Sequence, residues 1–304
     1  MKVLGVLPES IGGRLTTSSI IDGFSLLGHE IIVYDELKDN YPLQNNYDLI
    51  VGYDFSALKL KRDCNLSMKS INYFSDVIRS RTSGPYWQEL IPMLECDDNY
   101  TFYWDRALIK QENFKNIFYL PHFVNTNVYY DYSINPQYDV MFAGRLDTDY
   151  RLNTIVDLVE SLDINFAWFA IERHYKDALS RVKNKQVIEK IYKGFIDNEK
   201  YMADAINNTK IVINMNSQGL SSLNYRTMQT LACGKLLISD NRAELDLFDN
   251  LIPVYNDFEE LKNLISYYLS NQSKIKQITE HCKNICHKNH NSKKGVQFML
   301  DKIL

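Results

Sequence analysis

Short apolar runs recur along this chain, each followed by a helical or polar stretch. In the first half they read KVLGVLP, EIIVYD, YDLIVG, MKSINYF, TFYW and NIFYLP. Runs of this length, rich in β-branched and aromatic residues, read as strands. Between the first two, Ile20, Ile21, Phe24 and Leu27 fall at helical spacing, and Gly28 ends that helix. The pair Gly12 and Gly13 reads as the loop before it. After the loop YDYSINPQ the pattern restarts. YDVMFAG, INFAWFA, KIVINMN and KLLISD alternate with helical stretches, the first carrying Leu152, Ile155, Val156 and Val159. IPVYND reads as one more strand. Such alternation builds parallel, helix-covered sheets. A chain of 304 residues accommodates two domains of about 150 residues. The expected division is 1–133, 134–290, and a C-terminal helix over 291–304 that packs back on the first domain. A ligand site is expected between the halves, outside the carboxyl ends of the strands.

The stretch from Gln218 to Asp240 concentrates the chemistry. Ser217, Ser221, Ser222 and Asn224 cluster in a loop and can cap a helix. Thr227 to Cys233 continue as that helix, Gly234 stops it, and Leu236, Leu237 and Ile238 form a buried strand. Free N–H groups at such a helix start favour an anion. Arg226, one turn inside, can fork onto a phosphate. Upstream, FAGRLDTDYR places Gly144 at a strand end with Arg145 and Arg151 close behind. Two cations there can neutralise a diphosphate leaving group, or each can form a surface ion pair.

Composition sets bounds. Apolar residues make up 45% and charged residues 24%, as in globular proteins. No run approaches the roughly 20 apolar residues that span a bilayer, and MKVLGVLPES continues directly into a strand rather than forming a leader. A cytoplasmic protein is expected. Five scattered cysteines suit reduced thiols. The net charge of −4 argues against a general nucleic-acid binder. From Asn271 onward, however, seven lysines face two acids. That tail reads as a solvated helical face or as a peripheral contact with an anionic membrane surface or polyanion.

Catalytic candidates are Asp76, which ends INYFSD, and His122, which follows a strand end. Each also has a structural reading, as a helix cap or a buried polar residue. Tyr73, Tyr86, Trp87, Tyr100, Tyr103 and Trp104 can stack on sugar rings or pack the core. Asp147 and Asp149 read as helix caps rather than metal ligands. Cys282, Cys286 and His290 share one helix face, but a single helix rarely surrounds a zinc ion.

Taken together, the second half resembles the C-terminal domain of GT-B glycosyltransferases. The likeness is to the bacterial group 1 branch that includes spore-maturation-type proteins. There a strand ending F-x-G precedes an arginine-bearing helix. An I-x-N strand follows, then N-[FY]-R-x-x-E-x-x-A-C-G and a hydrophobic strand ending in aspartate. Here those elements read FAG, YRLNT, IVIN, NYRTMQTLACG and LLISD. The likeness covers roughly residues 117–304 and is weaker over 1–116. It implies an α/β GT-B fold, two Rossmann-like domains facing across a cleft, and transfer of a sugar from a nucleotide-diphosphate sugar to a hydroxyl acceptor. It implies no cofactor and no obligatory metal. The implied donor-binding positions are Gly144, Arg145, Arg151, Asn216, Ser221, Ser222, Leu223, Asn224, Tyr225, Arg226 and Gln229. Gln229 stands where the family has a ribose-binding glutamate. An amide offers one acceptor oxygen where a carboxylate offers two. Two other readings keep the fold: a non-catalytic sugar- or nucleotide-binding surface-assembly protein, and a sugar-nucleotide epimerase.

Overall fold

The apolar runs form two separate parallel sheets. The structure, a computed structural model, describes residues 1–39, 46–75, 88–112, 114–216 and 220–304. The first sheet contains β1 (Lys2–Leu7), β2 (Glu30–Asp35), β3 (Leu49–Tyr53), β4 (Lys69–Phe74), β5 (Asn99–Tyr103) and β6 (Ile117–Tyr119), in the order β2-β1-β3-β4-β5-β6. The second contains β7 (Tyr138–Ala143), β8 (Phe166–Phe169), β9 (Thr209–Asn214), β10 (Leu236–Asp240) and β11 (Val254–Tyr255), in the order β11-β10-β9-β7-β8. Every pairing is parallel. Counted within its own sheet, each shows the same order, 2-1-3-4-5, with a sixth strand added to the first. In such sheets a crevice opens at the carboxyl ends where the strand order reverses. Here those places are the ends of β1 and β3 and the ends of β7 and β9. The last strand is shorter than IPVYND suggests, because only Val254 and Tyr255 pair with β10.

Helices cover both sheets. Helix α1 (Ile11–Leu26) and α2 (Ser56–Asp63) belong to the first. Around the second lie α3 (Asp149–Ser161), α4 (Glu172–Arg181), α5 (Lys185–Ile191), α6 (Glu199–Asn207), α7 (Tyr225–Ala232), α8 (Phe258–Ser270) and α9 (Gln272–Asn289). Gly12 and Gly13 lie inside the first turn of α1 rather than in a loop, with Ser10 at the N-cap position. A side chain at Gly13 would meet Pro8 and Tyr53 at 2.7 Å, so glycine lets the helix begin against the sheet. Helix α10 (Ser292–Ile303) returns to the first domain. Its Val296, Met299, Leu300 and Ile303 are buried in one core with Val3, Ile20, Phe24 and Ile71. Each such buried aliphatic contributes roughly 1.5–3 kcal/mol.

Local signals in the sequence fix α7. Asn224 caps it, accepting from the N–H of Thr227 at 3.3 Å. At the other end, Gly234 takes φ 64°, and the N–H groups of Gly234 and Lys235 return to the carbonyls of Leu231 and Thr230. That double return is a Schellman stop, which favours glycine at the left-handed position.

Candidate functional site

A cleft of about 750 Å³ lies between the two sheets. Its walls are the carboxyl ends of the strands: Glu9 and Ser10 after β1, Tyr53 at the end of β3, Ser75 after β4, His122 after β6, Gly144 and Arg145 after β7, and Met215 and Asn216 after β9. Both reversal points open into this one space. Of the residues singled out in the sequence, His122, Gly144, Arg145, Arg151, Asn216, Ser222, Asn224, Tyr225, Arg226 and Gln229 line it. Asp76, Ser217, Tyr86 and Trp87 lie outside the described residues.

Arg226 is the dominant charge. It projects from the first turn of α7, and among the described residues its buried Nε has no hydrogen-bond partner and it forms no ion pair. Its guanidinium carbon lies 5.7 Å from the Phe142 ring centroid. Burial, with the nearby charge of Arg151, lowers its pKa to about 10, so it stays charged at neutral pH. A buried cation without a counter-ion is costly unless an anion arrives to share the space. Gly144 leaves that space open. It holds φ 151°, and a Cβ there would sit 3.6 Å from an Arg226 terminal nitrogen.

The other arginines divide the work. Arg151 is braced by the protein itself: its guanidinium donates to the carbonyls of Arg145 (3.3 Å) and Met215 (2.5 Å) and to Asp147 (3.2 Å). It shapes the strand ends that frame the cleft. Arg145 is half exposed and pairs with Asp147 at 3.4 Å. Arg173 and His174, on α4, add further basic groups to the same wall. Burial lowers the His174 pKa, and the charges of Arg173 and Arg145 lower it further.

Several predicted contacts are already taken. Ser221 is buried and bonded to Asp105 and Glu244, and Leu223 is buried in the second-domain core; neither lines the cleft. The N–H groups of Leu220, Ser221 and Ser222 all point at the Asp105 carboxylate. The loop donors that the sequence offered to a ligand anion are therefore occupied by the chain's own acid. What remains at this helix start is the first-turn backbone beside Arg226. Asn224 is spent on its cap and on Asn214. Asn216 donates to Asp240 at 2.7 Å. Tyr225 bonds Ser19 at 2.5 Å and Glu199 at 3.2 Å, joining the domains. Gln229 donates from its amide nitrogen to the Tyr129 hydroxyl at 2.6 Å. That bond orients the amide and leaves its oxygen as the group a ribose hydroxyl can address.

His122 is buried, its Nδ1 3.1 Å from the Tyr73 hydroxyl, and its ring stands edge-on to Tyr225. Burial pushes its pKa down to about 3. A neutral imidazole of that basicity is a weak general base and keeps its capacity to hydrogen-bond. Glu9 escaped the sequence reading. Among the described residues lining the cleft it is the one carboxylate. Its position just past β1, at a reversal of strand order, is the signal that could have found it.

The remaining candidates have structural roles. The cap of α3 is Thr148, which accepts from the Arg151 N–H at 3.2 Å, while Asp147 and Asp149 pair with arginines. A hydroxyl one residue along reaches the helix start better than either acid. Cys282 and Cys286 are fully buried in the second-domain core. Among the described residues no three His, Cys, Asp or Glu side chains gather as a metal site. Tyr73, Tyr103 and Trp104 pack in the first-domain core, and Trp104 also reaches the cleft.

Two parallel sheets of equal strand order, facing each other across a cationic cleft at their carboxyl ends, define a GT-B fold. Within that class, residues 155–301 match the family model described as glycosyl transferase-like. No curated protein matches the chain in sequence. Solved structures match it over nearly its whole length. Sucrose-phosphate synthase from Thermosynechococcus elongatus has a TM-score of 0.72 at 11% identity, covering 99% of this chain and 97% of that one. Anabaena HepE in complex with UDP and glucose has a TM-score of 0.72 at 12% identity, covering 100% and 99%. An alpha-glucosyltransferase in complex with UDP and a 13-mer DNA containing an HMU base has a TM-score of 0.74 at 13% identity, covering 100% and 99%.

Proposed function

We propose that this protein transfers a glycosyl group from a nucleotide-diphosphate sugar, held on the second domain, to a hydroxyl acceptor held on the first. The observation that carries this reading is Arg226, a charged guanidinium at a helix start, without a counter-ion among the described residues, facing the cleft. As the anomeric carbon–oxygen bond breaks, its electron pair moves to the diphosphate. Arg226, Arg145 and the α7 N-terminus stabilise the charge that develops there. They supply what a divalent metal supplies in other transferases, so the reading includes metal independence. The acceptor oxygen then bonds the anomeric carbon as its proton passes to the departing diphosphate, with Glu9 holding the acceptor hydroxyl and His122 holding the sugar. Support comes from structural neighbours carrying UDP, UDP-glucose and, for an alpha-glucosyltransferase, UDP together with a 13-mer DNA containing an HMU base.

No helix of the described residues is long and apolar enough to cross a membrane. Lys274, Lys276, Lys288, Lys293, Lys294 and Lys302 are exposed on α9 and α10. A cytoplasmic location, with a peripheral contact to an anionic surface or polyanion through these helices, belongs to the same proposal. The test is turnover of a panel of nucleotide sugars by wild type and Arg226→Ala. Release of nucleoside diphosphate by wild type, lost in the variant, is expected. Equal turnover by the two proteins removes Arg226 from the reaction.

A further inference from the structure

One carboxylate ties the two domains together beside the cleft. Asp105 follows β5 in the first domain, and its side chain is fully buried. Its Oδ2 accepts from the N–H groups of Leu220 at 2.6 Å, Ser221 at 3.0 Å and Ser222 at 3.2 Å. Its Oδ1 accepts from the Ser221 hydroxyl at 2.8 Å and from the N–H groups of Ala107 and Leu108, both at 2.9 Å. Three successive N–H groups converging on an oxygen form an anion nest. Here an aspartate from the other domain fills it. Burial alone would raise the Asp105 pKa, but the donors of Leu108, Ser221 and Leu220 outweigh it and hold it at about 2.

The joint continues sideways. The Ala107 N–H donates to Ser221 Oγ at 3.0 Å, the Arg106 N–H to Glu244 at 2.8 Å, and the Glu244 N–H to the Ser221 carbonyl at 2.9 Å. Arg106 closes the edge, one of its terminal nitrogens donating to both Asp246 carboxylate oxygens at 2.7 and 2.9 Å. Ser222, the last residue of the nest, lines the cleft, and Arg226 follows four residues on. The start of α7 is thus fixed from outside its own domain.

We infer that Asp105 is a positioning residue: it holds the 220–222 loop, and through it Arg226, in the geometry that receives the donor diphosphate. Separating the domains at this edge strips a buried carboxylate of four donors, or drags the loop away from α7. Opening the cleft and dismantling the phosphate site become one event. This inference rests on the donor reading above.

The test uses the full-length protein, with uridine diphosphate and uridine as probes. Calorimetry measures both on wild type, Asp105→Asn and Ser221→Ala, and amide hydrogen exchange follows residues 220–222. An amide at 105 offers one acceptor oxygen and turns N–H groups toward N–H groups. Asp105→Asn should lose exchange protection at 220–222 while β9 and β10 keep theirs. It should bind uridine diphosphate about tenfold more weakly, with uridine affinity unchanged. A merely structural defect would weaken both ligands together. Ser221→Ala, which keeps the three N–H donors, should show the same phosphate-selective loss at about threefold, and it carries the test if Asp105→Asn does not fold. Unchanged diphosphate affinity in the variants, or equal losses for both ligands, overturns the inference. If wild type binds no nucleoside diphosphate, the donor reading fails instead, while exchange at 220–222 still reports the joint.

Discussion

The two walls of the cleft share a strand order and differ in chemistry. The second-domain wall carries Arg145, Arg151, Arg173 and Arg226; among the described lining residues, the first-domain wall carries no lysine or arginine and offers Glu9, Ser10, Thr16, Tyr53, Ser75 and His122. Topology puts both sets at strand ends where the order reverses, so it decides where a ligand sits. It does not decide which ligand. That is set by a handful of side chains: a guanidinium without an ion pair among the described residues suits a diphosphate, and on the other side hydroxyls with the one carboxylate among the described lining residues suit a polyol.

Breaking the cationic wall should have the largest effect. Arg226→Ala should lower kcat/KM for the donor by about 10²–10³-fold, the loss typical of a donor to developing charge. Its melting temperature should hold, since Arg226 makes no ion pair among the described residues. Steady-state kinetics beside a thermal melt checks both. The opposite wall should respond differently. Glu9→Gln should raise the acceptor KM about tenfold, as loss of a charged hydrogen bond does, and leave donor affinity untouched. A loss of donor affinity would show that the walls are not separate.

The smallest expected effect lies where the walls join behind the cleft. Glu199 accepts from Ser19 and Tyr225, and Asp22, bonded to Asn125, faces it from α1. Burial, then the charge of Asp22, pushes the Glu199 pKa up to about 7. An unfolded glutamate titrates near 4.3, so the folded state binds the extra proton. The stability this gives is complete below about pH 4.3 and is lost as pH rises through 7. Glu199→Gln should match wild type near pH 4.5 and melt a few degrees higher at pH 8. His122 and His290 are held down by burial, to about 3 and about 4. They give the opposite slope, losing stability on acidification, but they do so in both proteins and cancel in the difference. A melting difference independent of pH would remove Glu199 as the titrating group.

How much of this was legible in the sequence follows how local each signal is. The Asn224 cap and the Gly234 stop act within one or two turns, so α7 could be read directly. Arg226 could be read because cap, cation and glycine fall in one stretch. Asp105 could not, since its partner Ser221 is 116 residues away and an aspartate after a strand has many uses. The same holds for the bond from Gln229 to Tyr129, across 100 residues. Arg151 was legible as a cation near the site but not as a brace, because its acceptors are backbone carbonyls that any sequence supplies.

The central claim is that the second-domain wall recognises phosphate. Calorimetric titration with uridine, uridine monophosphate and uridine diphosphate, into wild type and Arg226→Ala, tests it most directly. Affinity should climb with each phosphate in wild type, and the climb should flatten in the variant. Uridine binding as tightly as its diphosphate, or a climb that survives the loss of Arg226, would contradict the account.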